Sequence, residues 1–152
     1  MIVVAFTDGA SRGNPGESGI GIHMEDETGK VLVSLSDYIG TATNNIAEYT
    51  ALIKCLELAR ETKCTRLIVH SDSELMVRQV QGSYKVKDKG LKALFTEVQN
   101  IVSTALYKFE IKHVAREENG TADELANRGI NLKRRVNDPP SPAGFGGQVS
   151  RV

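Results

Sequence analysis

The 152-residue sequence lacks several features that mark special classes of protein. It has no tryptophan, and its two cysteines, Cys55 and Cys64, form neither a CxxC pair nor a Cys/His cluster at zinc spacing, which excludes a disulfide scaffold or a structural zinc site. No apolar run approaches the roughly 20 residues that span a bilayer, and the apolar start has no basic segment of the kind found in secretion signals. We therefore expect a cytoplasmic protein with no membrane segment.

The sequence also has a formal net charge of zero at pH 7. Nineteen Lys and Arg residues balance nineteen Asp and Glu residues, so composition favours neither a polycationic nucleic-acid wrapper nor an acidic tail. The balance is uneven along the chain, at −3 over residues 1–132 and +3 over residues 133–152. Three of the four prolines and three glycines fall within residues 137–152. We expect one compact, monomeric domain over 1–132 and a flexible basic tail over 133–152.

What is present is a clear succession of strands and helices. β-rich runs occupy residues 2–7, 19–24, 31–38, 66–70 and 109–113, and the first three are separated by turns. Apolar residues at spacings of three and four predict helices over 45–62, 74–81, 91–105 and 121–130. Asn119-Gly120 predicts a turn before the last of these helices. The order βββ-α-β-α-α-β-α predicts an α/β domain with a mixed sheet and helices packed on it.

Four acidic residues stand where predicted elements begin or end. Asp8 closes the first strand and Asp72 follows the fourth, while Glu48 and Asp123 lie in the first turns of the long helix and the last helix. Strand ends and helix starts gather along one rim of such sheets, so these four groups can converge.

Helix capping is the competing interpretation of three of these acids. Residues 45–48, 71–74 and 121–124 each place a small polar residue three positions before Glu, the pattern of a capping box. Acid in a first helical turn is also stabilising by about 0.3–1 kcal/mol. Asp8, which ends a strand and precedes Gly9, is left unexplained by capping.

If the four carboxylates meet, they require a cation, because crowded negative charges repel one another. Mg²⁺ prefers carboxylate and water oxygens, and no His or Cys set favours zinc. Two ions held by four acids could activate water and stabilise a departing oxygen during attack on phosphorus. The glycine-rich segment 8–21 lacks the GK[ST] ending of a P-loop and reads as a hairpin. Its glycines would still let backbone amides approach a polynucleotide.

Taken in order, these residues resemble type 1 ribonuclease H. The matching stretches are Thr7-Asp8-Gly9-Ala10, Gly13-Asn14-Pro15-Gly16, Thr43-Asn44-Asn45-Ile46-Ala47-Glu48, Asp72-Ser73 and Ala122-Asp123-Glu124-Leu125-Ala126. The resemblance covers residues 2–129. It implies a five-stranded mixed sheet with helices on both faces, three antiparallel strands coming first. It also implies an endoribonuclease that cuts the RNA strand of RNA–DNA hybrids and leaves 5′-phosphate and 3′-hydroxyl ends.

The resemblance also assigns roles to particular residues. Asp8, Glu48, Asp72 and Asp123 would be catalytic ligands of two Mg²⁺ or Mn²⁺ ions, with Glu48 near a 2′-hydroxyl of the RNA. Gly9, Asn14, Asn44 and Asn45 would contact the hybrid near the scissile site. Double-stranded RNA is a further candidate substrate, since some short members of the family cut it.

The sequence departs from well-known members in three places. Residues 115–121 lack the loop histidine that many members carry, and His113, on the preceding strand, is not its equivalent. Glu74 stands where a Gln is common. The long basic handle is missing and the short segment 84–89 replaces it, as in archaeal-type members. Two groups of residues could compensate: Arg116, Glu117 or Glu118 for the histidine, and Lys85, Lys87 and Lys89, with Lys92, for the handle.

Two other classes of protein share parts of this pattern. A non-catalytic module that binds RNA–DNA hybrid or double-stranded RNA would keep the fold without the chemistry, but it would not need all four acids. Actin-like and kinase-like nucleotide binders have a related sheet, but they need two such lobes, for which this chain is too short.

Overall fold

The computed structural model describes residues 1–134 and 148–151 as one mixed sheet with helices on both faces. A five-stranded core has the order β3-β2-β1-β4-β5, which confirms the sheet predicted from the sequence, and a sixth short strand extends it. Among the described residues, no helix is both long and apolar enough to cross a membrane. The strands are β1 (Ile2–Gly13), β2 (Gly16–Asp26), β3 (Val31–Ala42), β4 (Arg66–Ser71), β5 (Lys108–His113) and β6 (Gln148–Arg151).

The helices are those that the apolar periodicity predicts. A 3₁₀ helix, Arg116–Asn119, leads directly into the last of them, where the sequence predicts a turn. The α-helices are α1 (Asn44–Thr62), α2 (Glu74–Val80), α3 (Lys89–Thr104) and α4 (Gly120–Arg134).

The first three strands are longer than the sequence predicts. Pairing between β1 and β2 continues from Val3↔Asp26 to Gly13↔Gly16, so the glycine-rich segment forms a long hairpin closed by Asn14 and Pro15. β1 also pairs in parallel with β4, and β4 with β5. The carboxyl end of β4 therefore lies beside the middle of β1, where Asp8 is located, and the carboxyl end of β5 lies one strand further out.

Helices cover the two faces of the sheet at adjacent positions of β1. A Cβ atom added to Gly9 would collide with the backbone of Ala47 in α1. A Cβ atom added to Gly21 would likewise collide with the backbone of Ala122 in α4. Gly21 pairs with Asp8 on β1, the neighbour of Gly9, and paired residues share a face of the sheet. Because neighbouring residues of a strand point to opposite faces, α1 and α4 lie on opposite sides. The core between the sheet and α1 includes Val3, Ala5, Leu52, Leu56 and Val69.

The expected tail differs from the structure at both of its ends. Lys133 and Arg134 continue α4, and the Lys133 ammonium lies 5.8 Å from the centroid of the Tyr38 ring, a cation–π contact that favours the longer helix. Gln148–Arg151 pairs antiparallel with β3 and covers part of the edge strand. The rest of the expected tail, residues 135–147 and 152, lies outside the described residues.

Candidate active site

Asp8 and Asp72 are brought together by the parallel pairing of β1 and β4. Thr7 is opposite Ser71 in the register, so Asp8 and Asp72 follow directly after paired residues. Parallel strands lie about 4.8 Å apart. Asp8 is buried, with 6% of its surface exposed, whereas Asp72 is partly exposed.

Glu48 reaches this point from α1 because Gly9 lets the helix backbone approach the sheet. The Gly9 amide donates a hydrogen bond to Glu48 Oε1. The second oxygen, Oε2, is buried and has no hydrogen-bond partner among the described residues. A buried carboxylate oxygen without a donor is costly, and a bound cation would satisfy it.

Asp123 is positioned by the start of α4. The buried Asn119 side chain donates to the Thr7 carbonyl oxygen at 2.9 Å, which fixes the start of α4 beside Asp8. Gly21 allows the helix backbone to come close to β2. One turn further on, Asn127 donates to the Asp123 carbonyl oxygen at 3.0 Å and lies 3.4 Å from its carboxylate.

The four predicted acids therefore share one cleft of about 350 Å³. Carboxylate oxygens of Asp8, Glu48 and Asp72 all lie within 4.8 Å of one another, the arrangement of a metal site, and Asp123 lines the same cleft outside this group of three. The donors are hard oxygens, with no His or Cys in the group, which suits a divalent cation that prefers oxygen ligands.

The electrostatics of the cleft also favour a cation. Burial raises the pKa of the Asp8 carboxyl far above its ordinary value, and the negative charges of Glu48 and Asp72 raise it further. Burial likewise raises the pKa of Glu48 and that of Asp72. Without a bound cation the site is thus crowded with carboxylates that resist ionisation.

None of the three predicted capping boxes is present. The N-cap of α1 is Thr43, whose hydroxyl accepts from the Ile46 amide, so Glu48 lies in the second turn rather than the first. The N-cap of α2 is Ser73, which places Glu74 at the first helical position. At the last helix Thr121 is already inside α4, and Asp123 does lie in the first turn. Helix capping therefore does not account for the cluster.

The predicted substrate contacts are only partly gathered at the cleft. Gly9 and Asn44 line it, and Asn14 accepts from the Asn44 amide through Oδ1 at 3.1 Å. Asn45, the second residue of α1, is partly buried and does not line the cleft. Lys85, Lys87 and Lys89 are exposed around the start of α3 and are likewise absent from the cleft lining.

Among the three candidates for the loop role, the geometry separates Arg116 from its neighbours. Arg116 lines the cleft, and its positive charge lowers the pKa of Asp72 against the effect of burial. Glu117 and Glu118 are exposed and do not line the cleft. His113, which the sequence places on the preceding strand, is exposed beside Ser71 and is close enough to oppose the rise in the pKa of Asp72.

The sequence does not single out two residues that lie beside the carboxylates, Asn119 and Asn127. Asn119 is read as part of an Asn-Gly turn, although its side chain is buried against β1. Asn127 lies on the polar side of a predicted helix with no motif to single it out, and its position in the cleft follows from the packing of α4. The spacing of four residues from Asp123 is the signal that could have found Asn127.

The chain is similar in sequence and in structure to known proteins. A reverse transcriptase-like family model matches residues 6–129. The chain is 37% identical to ribonuclease HI of Halobacterium salinarum, over 84% of this chain and 64% of that protein. It is 32% identical to ribonuclease H of Coxiella burnetii, over 89% and 95% respectively. The crystal structure of LC11-RNase H1 in complex with RNA/DNA hybrid superposes with a TM-score of 0.83 at 42% identity, covering 87% and 99% of the two chains.

Proposed function

The chain belongs to the type 1 ribonuclease H family, and from that premise we propose that it hydrolyses the RNA strand of RNA–DNA hybrids. The products would carry 5′-phosphate and 3′-hydroxyl ends. The observation that carries the proposal is the convergence of three carboxylates, with a fourth in the same cleft, at the rim of this sheet. Because the chain spans 64% of the Halobacterium protein, the proposal concerns the domain described in this structure.

Asp8, Glu48, Asp72 and Asp123 would hold up to two Mg²⁺ or Mn²⁺ ions in the substrate complex. When bound, such ions lower the pKa of water and offset negative charge on the departing oxygen. The partnerless Glu48 Oε2 fits this role, since the Gly9 amide already satisfies the other oxygen. It could equally accept from a 2′-hydroxyl, the group that distinguishes RNA from DNA.

The surrounding residues would position the hybrid. Asn44, held to Asn14 at the hairpin tip, offers an amide side chain at the cleft for sugar hydroxyls and phosphates. Arg116 would take the place of the missing loop histidine, as a fixed positive charge beside Asp72 that attracts the phosphate backbone. The exposed Lys85, Lys87 and Lys89 would contact the DNA strand or the flanking duplex.

A strand-labelled cleavage assay tests the proposal. RNA–DNA hybrid, double-stranded RNA and double-stranded DNA are each incubated with the protein, with Mg²⁺ or with EDTA. We expect cleavage of the RNA strand of the hybrid in Mg²⁺ only, with the double-stranded RNA lane deciding whether that duplex is a second substrate. Binding of the hybrid without Mg²⁺-dependent cleavage would instead identify a non-catalytic binding module.

A further inference from the structure

We infer that the polar side of α4 beyond Asp123 is a second contact surface for the RNA strand. This inference rests on the proposed function and extends it to a subsite. The surface, which we name the α4 groove, has a volume of about 490 Å³. It is lined by Asp123, Glu124, Asn127, Arg128, Asn131 and Leu132.

The α4 groove is continuous with the catalytic cleft. Asp123 and Asn127 line both, so a strand that leaves the cleft on the Asp123 side meets the groove directly. From Asp123 to Asn131 the helix rises about 12 Å, which matches about three to four nucleotides of one strand along a duplex axis. The groove therefore has the length of a short substrate subsite.

The side chains of the groove suit a sugar–phosphate backbone. Asn127 and Asn131 are four residues apart, so their amides lie on one side of α4 about one turn apart, and Arg128 is exposed between them in sequence. Amides and guanidinium groups are the usual donors to phosphate and sugar oxygens, and amides can also accept from 2′-hydroxyls. Arg12 is outside the lining, and its guanidinium donates to the Asn127 carbonyl oxygen at 3.4 Å.

The charge of the groove sets the size of the expected effect. Glu124 adds a carboxylate to that of Asp123, and Arg128 supplies one positive charge within the lining. Hydrogen bonds rather than a strong positive field would thus carry the interaction. We expect the groove to affect substrate affinity more than the chemical step.

The test combines Arg128→Gln with Asn131→Ala and leaves Asp123 and Asn127 intact. The substrates are hybrids in which one strand carries a short block of ribonucleotides. In the first substrate, duplex flanks the block on both sides. In the other two, the duplex ends at the 5′ edge or at the 3′ edge of the block. With the fully flanked hybrid we expect the variant to raise KM about tenfold, the loss of two modest hydrogen-bonding contacts. The slope of log affinity against log salt concentration should decrease by about the contribution of one neutralised phosphate. The KM difference should disappear with one of the two truncated substrates.

Two controls make the result decisive. Arg60→Gln with Asn100→Ala changes the same residue types at exposed sites on α1 and α3, and KM should be unaltered. Circular dichroism and thermal unfolding check that the groove variant folds. An unchanged KM for the groove variant, a loss in kcat alone, or an equal KM penalty on both truncated substrates would overturn the inference. Failure of the wild-type protein to cut any hybrid would instead overturn the proposed function.

Discussion

At the scale of single residues, the proposed catalytic role of the Asp8 carboxylate comes with a cost to the stability of the fold. It is buried beside Glu48 and Asp72, whose negative charges raise the pKa of the Asp8 carboxyl beyond the effect of burial. Asp8→Asn keeps the shape and removes the charge. We predict that it abolishes cleavage and increases the free energy of unfolding in EDTA by about 1–3 kcal/mol, measured by urea denaturation at neutral pH.

Asp26 provides the matched control for that substitution. Its side chain accepts hydrogen bonds from Thr28, and the Thr28 hydroxyl lowers the pKa of the exposed Asp26 carboxyl. Asp26→Asn should therefore decrease stability slightly and leave cleavage intact. A loss of stability in Asp8→Asn as well would contradict the account of repulsion at the site.

The pH dependence of stability follows from the same raised pKa values. A carboxyl whose folded-state pKa is raised contributes stability that is fully present below the ordinary value, about pH 4, and is lost as pH rises through the raised value. For Asp8 and Glu48 burial is the main cause. In EDTA the wild type should thus become progressively less stable than Asp8→Asn as pH rises above about 4.

Thermal melts across that range measure this difference. Added Mg²⁺ should raise the wild-type Tm and reduce the pH slope, because ligands that bind only the folded state stabilise it. A difference between wild type and Asp8→Asn that stays constant with pH would show that the buried carboxyls do not titrate as described.

At the scale of elements, the placement of Asp123 depends on the close approach of α4 to β2. A Cβ atom at Gly21 would overlap the backbone of Ala122 and Ala126. We predict that Gly21→Ala costs about 2–4 kcal/mol of stability and lowers kcat about 100-fold, because small displacements of a catalytic group are costly. Urea denaturation and single-turnover cleavage measure the two effects.

Gly120→Ala, at the first residue of α4, is the control for Gly21→Ala. Gly120 has helical dihedral angles, φ −59° and ψ −39°, and a Cβ atom there would meet nothing within 4 Å. It should stabilise α4 by about 0.5–1 kcal/mol with activity preserved. Similar losses in both variants would show that helix flexibility, rather than close approach, matters.

The order of the elements could be predicted from the sequence, whereas some of their boundaries and contacts could not. Apolar periodicity predicts the order of the core elements, and the placement of acids at element ends predicts a common rim. The exact helix starts escape it, because Thr43 and not Asn45 caps α1. The position of Asp123 in the cleft, and the proximity of Arg116 and His113 to Asp72, depend on packing at glycines and on strand register.

At the scale of the whole molecule, a zero net charge means that hybrid affinity depends on local cations. Neutralising Lys85, Lys87 and Lys89 by substitution with Gln should lower the slope of log affinity against log salt by up to about three charges. Lys63→Gln, an exposed site at the end of α1, should leave the slope unchanged. Filter binding over a salt series checks both, and equal slopes for the triple variant and the wild type would exclude these lysines as contacts.

The central claim is that four carboxylates form one divalent-metal site that cuts RNA within a hybrid. Single-turnover cleavage of a labelled hybrid in Mg²⁺, by the wild type and by Asp8→Asn, Glu48→Gln, Asp72→Asn and Asp123→Asn, tests it most directly. We predict a rate loss of at least about 1,000-fold in each folded variant, with hybrid binding retained. Near wild-type cleavage by Asp8→Asn or Asp72→Asn would contradict the account.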